Sequence, residues 1–209
     1  MQDTLMKADG VAVIFIGIAG ALSKMLVIKG GTTDTTGTMM MIISLSLGAI
    51  VGEMLDLDGK MIHFGEWLKI KTGNAKDKKF VDGFVTASLT VCIGAMAVVG
   101  SIEDGIHADH SILFAKAILD FVIILVMSAT LGKGCLFSFV PVGLFQGTIT
   151  LLASLISPFI TASAMSALSY IGSILIFCVG VNLVFNTKIR VANLLPALIV
   201  ACICTVFPL

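Results

Sequence analysis

Charge is what this sequence has least of. Only 12% of its 209 residues are charged, with 13 basic side chains against 13 acidic ones, whereas soluble domains carry roughly 25%. The balance is zero, which removes the electrostatic basis for binding nucleic acid. Tryptophan and tyrosine occur once each and proline four times. The five cysteines, Cys92, Cys135, Cys178, Cys202 and Cys204, lie in or beside apolar runs, and none forms a CxxC pair. That spacing argues against a disulfide framework or a zinc site and for small apolar packing residues. HExxH, GxSxG and Walker motifs are also missing. Zinc hydrolysis, serine-nucleophile chemistry and P-loop nucleotide binding therefore have no residues to rest on. No enzyme activity, cofactor or metal is expected.

What is present is apolar sequence in blocks. Hydrophobic residues make up 57% of the chain and the mean hydropathy is +1.09. No charge interrupts Gly83–Ile102, Gly134–Thr187 or Val191–Leu209. A spanning helix needs ~20 such residues, and a barrel strand would alternate polar with apolar over about ten. These blocks do not alternate. The expected fold is an all-α polytopic membrane protein, one transmembrane domain over residues 1–209, with about seven spans. Their approximate limits are 10–28, 37–55, 81–101, 111–131, 135–157, 162–185 and 190–208. The polar start Met1–Asp9 runs into a full-length apolar segment, so no cleavable signal peptide is expected.

Basic residues orient the spans. With the N-terminus in the cytoplasm, Lys7, Lys60, Lys69, Lys71, Lys76, Lys78, Lys79, Lys133, Lys188 and Arg190 fall inside, and only Lys24 and Lys29 fall outside. The loop Ser101–His110, with Glu103, Asp104 and Asp109, then faces out and the C-terminus ends outside. The 56–79 connection reads as a cytoplasmic amphipathic and basic segment. Leu57, Met61, Phe64 and Leu68 share one helical face with Trp67 beside it, and Lys76–Lys79 follow. This is the pattern of a helix lying on the membrane surface with anionic lipid as its partner.

Few residues could carry chemistry. Lys116 and Asp120 are four apart on the fourth span, hence on one face. Asp120 is expected ~13 Å into the membrane at 1.5 Å per residue. A charge at that depth is costly and must face protein or water, as an ion or proton site or as a neutralised packing pair. Gln146, Asn182 and Asn193 are polar groups within the later spans, able to line a solute path or to bond between helices. The fifth span is expected to break at Pro141 and the Gln146-Gly147-Thr148 step. Glu53 and Asp82 read as solvated charges at the cytoplasmic boundary, and the acidic, histidine-bearing loop 103–110 as solvated rather than metal-binding. Gly48 and Gly52 form GxxxG, a close-packing face within the chain or between copies in a homo-oligomer. Gly10–Gly17 resembles Gly172–Gly180, a weak sign of an inverted repeat.

Several stretches together resemble one bacterial family. They are Ile43–Glu53, Phe84–Leu89 leading to Gly94–Ala97, Asp109–Ser111, Ala115-Lys116, Leu119-Asp120, Gln146–Ile149 and Val191–Ala197. In this order they are similar to the YdfK/YqgA-like multi-pass membrane proteins, DUF554. The resemblance implies a membrane protein with transport as the expected role, and it makes Lys116, Asp120, Gln146, Asn193 and Pro196 family features. It supplies no catalytic or binding residue. It also implies an additional first span before Met1, resembling Gly147-Thr148-Ile149, so that this chain is expected to be a shortened form.

The expected function is transport of a small solute or ion across the bacterial cytoplasmic membrane. The alternative is a scaffold or sensor acting through the amphipathic segment and the GxxxG face. A cavity reaching Asp120 and Gln146 separates the two. No feature of the sequence names a substrate.

Overall fold

The computed structural model describes residues 2–29, 32–93, 95–156, 158 and 161–206. Gly94, half of the connection Pro158–Thr161 and the end of the seventh expected span lie outside them.

The chain opens with α1, Gln2–Met25, followed by strands β1, Leu26–Lys29, and β2, Thr32–Thr35. The strands pair antiparallel with Leu26 opposite Thr35 and Lys29 opposite Thr32. This hairpin occupies part of what was expected to be the first span and its outer loop. Its sequence signal is Gly30-Gly31 between two short runs rich in β-branched residues. Helix α2 is Thr38–Leu55 and α3 is Leu57–Lys71. Asp56, at φ 46°, ends the first and caps the second, its carboxylate accepting from Gly59 N–H at 3.3 Å.

Helices α4, Phe80–Cys92, and α5, Ala95–His107, occupy the third expected span, and their axes differ by 62°. Ile93, after the last turn of α4, is extended at φ −81° and ψ 109°. Helix α6, Ser111–Leu131, is unbroken. A 3₁₀ segment, Lys133–Ser138, leads into α7, Phe139–Leu151, and a short α8, Ala153–Ile156. The break thus belongs to the third span. Helix α7 runs straight through Pro141 and Gln146-Gly147-Thr148. Pro141 lies in the first turn of α7, where a backbone N–H has no helical partner to lose.

Helix α9 is Ala162–Phe185, and a 3₁₀ turn, Val191–Leu194, precedes α10, Pro196–Val206. Among the described residues five segments are long and apolar enough to cross a membrane, and a sixth if α4 and α5 form one bent span. Of the seventh expected span an apolar helix is described over Val191–Thr205, and its end lies outside the described residues.

Helix α9 is the hub, burying Ile171, Leu175, Val179 and Leu183 against Val13, Leu89, Val191 and Ala197. Helix α1 crosses it antiparallel on small residues: Gly10 meets Leu183 and Val184, Gly17 meets Phe177 and Gly20 meets Ser173. A Cβ on Gly17 would stand 2.6 Å from the Phe177 backbone nitrogen, so glycine is what permits the approach. Helix α2 pairs with the Val191–Val206 region in the same antiparallel sense, Gly48 on Ala197 and Gly52 on Asn193. The GxxxG face is therefore buried inside the chain.

Helix α3 departs from the surface-helix expectation. Leu57 and Met61 pack on the α9 core, and Phe64 and Leu68 join Phe80 and Phe84 of α4. Its apolar stripe faces protein; Trp67 and Ile70 remain exposed beside Lys71.

Candidate functional site

The break after α4 creates a demand. A helix leaves its last carbonyls without N–H partners, and here those carbonyls lie within an apolar run. Val91, 3% exposed, is the penultimate residue of α4, and its carbonyl accepts a 2.8 Å hydrogen bond from Nζ of Lys116. A cation at a helix C-terminus also faces the negative end of the helix dipole. Lys116 is itself buried and gives a second bond to the carboxylate of Asp120, one turn further along α6. The lysine therefore joins two elements: it closes the open end of α4 and neutralises Asp120.

The two partners are not equally enclosed. The Lys116 side chain is 7% exposed and that of Asp120 21%. Beside the pair is a cavity of about 330 Å³ between α6 and α7, lined also by Val91. Lys116, Asp120, Gln146 and Ser138 are its polar lining; Leu113, Phe121, Ile124, Phe139 and Val142 make most of the rest apolar. Helix α7 packs on α5 and α4, which leaves this space beside α6. Nε2 of Gln146 is buried and has no hydrogen-bond partner. A buried donor without a partner is costly unless something else supplies the acceptor.

The five candidate residues divide. Lys116, Asp120 and Gln146 come together at the cavity. Asn182 lies elsewhere, at the end of α9: its Oδ1 accepts from Ile189 N–H and the Thr187 hydroxyl, and its Nδ2 donates to the Ile189 carbonyl. Asn193, 2% exposed, accepts from Asp58 N–H at 2.7 Å and donates to Glu53. Both asparagines hold loops. Glu53 is not merely solvated, since Arg190 donates to it at 2.5 Å. Nearby, partial burial pushes the Asp58 carboxyl above its ordinary range, opposed by the Arg190 guanidinium. In the loop after α5 His107 bonds Glu103 and His110 bonds Asp104. The Ser111 hydroxyl and N–H both bond Asp109 and hold its carboxyl low. Sequence reading missed the carbonyl of Val91 and the hydroxyl of Ser138. The first was detectable through Ile93-Gly94 inside an apolar helix; the second, a serine in an apolar run, carries no signal of its own.

Comparison with known proteins agrees over the whole length. Residues 1–206 match the family described as Protein of unknown function (DUF554). The chain is 28% identical over 200 residues to Uncharacterized membrane protein YdfK of Bacillus subtilis strain 168, covering 95% of this chain and 81% of that protein. It is 28% identical over 165 residues to Uncharacterized protein YqgA of Escherichia coli K12, covering 77% and 70% respectively. No solved structure matches it.

Proposed function

The chain belongs to the DUF554 family of membrane proteins, a membership that brings no activity with it, and from the cavity we propose a secondary transporter for a small solute. The observation that carries this reading is the meeting of Lys116, Asp120 and Gln146 at one cavity, beside a helix end that opens inside an apolar run. Solute sites in transporters form where spans are interrupted, because freed backbone groups there can be bonded by side chains or solute. The antiparallel pairing of α1 with α9, and of α2 with the Val191–Val206 region, is the arrangement an inverted repeat would give. The membrane in question is the bacterial cytoplasmic membrane, with the N-terminus inside, by the distribution of lysine and arginine. The scaffold reading loses ground because both of its surfaces, the α3 stripe and the Gly48/Gly52 face, are occupied within the chain.

The test is a solute-uptake screen in proteoliposomes, run with the wild type and Asp120→Asn in parallel. A solute whose gradient-driven accumulation disappears in Asp120→Asn, with folded protein still in the membrane, supports the proposal. Accumulation of no solute, or unchanged accumulation in the variant, refutes it.

A further inference from the structure

The cavity presents an uneven set of polar groups. Among the residues that line it, Lys116 can only donate, Ser138 and Gln146 can donate as well as accept, and Nε2 of Gln146 lies buried without a partner; the one charged acceptor, Asp120, is already held by Lys116. A solute that completes this wall brings acceptors. The walls are otherwise apolar, and the rim residues Phe121, Leu136 and Phe139 are 68%, 54% and 67% exposed. An apolar tail can lie along them.

Charge sets the second condition. The pair is neutral as it stands, and a net charge in a low-dielectric site is costly. An anion added to Lys116 leaves the site with an excess negative charge unless a proton arrives with it. Asp120, the more open member of the pair, is where that proton goes. Other ionisable groups on the elements around α6 do not compete. Helix α7 carries none. Cys135 of the 3₁₀ segment packs in a separate cluster with Ala87 and Met127. Asp9 of α1 bonds Thr130 at the far end of α6, and Glu103, Asp104 and His107 lie at the outer end of α5. Lys133 is exposed beyond the last turn of α6, and the Cys92 thiol, at the end of α4, is close enough to sense the pair.

Resting on the transport reading, we infer that the cavity takes a small monocarboxylate with an apolar tail, bound together with one proton. The exchange balances. The proton passes to the Asp120 carboxylate, the Lys116–Asp120 ion pair opens, and the solute carboxylate becomes the partner of Lys116. Gln146 and Ser138 supply further donors. The net charge of the site is zero before and after, and no covalent bond in the solute changes. Lys116 keeps its bond to Val91 throughout, so the end of α4 stays closed.

The experiment is calorimetric titration of octanoate into the protein in lipid nanodiscs, with empty nanodiscs subtracted. Octanol, octylamine and leucine serve as neutral, cationic and zwitterionic comparators. Repeating the titration in buffers of different ionisation enthalpy measures the protons taken up. Octanoate should bind saturably with uptake of one proton, ahead of all three comparators. Asp120→Asn should bind octanoate with no proton uptake, because the amide already stands in for the protonated acid. Gln146→Leu should weaken octanoate at least several-fold and leave octanol unchanged. Equal binding of octanol, preference for octylamine or leucine, wild-type binding without proton uptake, or no binding would each overturn the inference. Those results leave the uptake screen to judge transport separately.

Discussion

At the scale of single residues, Lys116 matters more for what it holds together than for its charge. Lys116→Ala strands the Asp120 carboxylate and the Val91 carbonyl at once, whereas Lys116→Ala with Asp120→Ala removes both charges. Breaking a buried pair from one side costs roughly 3–5 kcal/mol, while removing both members is close to neutral. Because Asp120 is partly open, the single variant should be less stable than the double by ~2 kcal/mol, read from thermal melting in detergent. Asp109 gives a pH signature from outside the membrane. Its hydrogen bonds from Ser111 lower its pKa, so it stabilises the fold above the unfolded-state value of about 3.9. That contribution disappears as pH falls through the lower, folded value. Asp109→Asn should make melting less sensitive to acid below about pH 4. An unchanged acid profile in the variant would show that the Ser111 bonds do not act on stability.

Among the helices, glycines report which contacts are tight. Gly52→Ala forces a methyl group against the Asn193 backbone and should cost about 1–3 kcal/mol. Gly147→Ala meets nothing within 4 Å and should be neutral or stabilising by up to about 1 kcal/mol. A Gly147→Ala variant that melts early would restore the idea of a strained break in α7. These cases also show what the sequence could reveal. Helices α2, α6 and α9 lie within a residue of their expected limits because uninterrupted apolar length is an unambiguous signal. A proline marks an interruption by its position in the helix rather than by its identity. Pro141 sits in a first turn, where its missing N–H is harmless, while the real interruption follows Cys92. The α3 stripe was legible as a stripe, but periodicity cannot tell lipid from Phe84. Lys116 and Asp120 were legible because charges inside an apolar span stand out. Asn182 and Asn193 were not separable from them, since an amide that holds a loop has the same sequence signature as one that lines a path.

On the scale of the whole molecule, α9 with α1 and the Val191–Val206 region forms a tightly apposed body, and α6 and α7 flank the cavity beside it. If α4 and α5 are one bent span, the two ends of that span lie on opposite sides of the bilayer. A cysteine at Ala108 should then react with an impermeant thiol reagent added to whole cells, and one at Asn74 should not. Labelling of Asn74 alone would invert the orientation, and labelling at neither would make the α4–α5 pair re-entrant. The exposed rim of Phe121, Leu136 and Phe139 has a consequence of its own. On the binding reading proposed above, such a rim opens the site sideways, and the bilayer would act as an antechamber in which an amphiphile concentrates before it is captured. Each added methylene is worth about 0.8 kcal/mol of transfer from water, close to a fourfold enrichment in the lipid. Affinity expressed against aqueous ligand should therefore climb about fourfold per methylene. Expressed against the mole fraction of ligand in the lipid, the same series should lie nearly flat, because the tail leaves one apolar surface for another and only the headgroup meets something new.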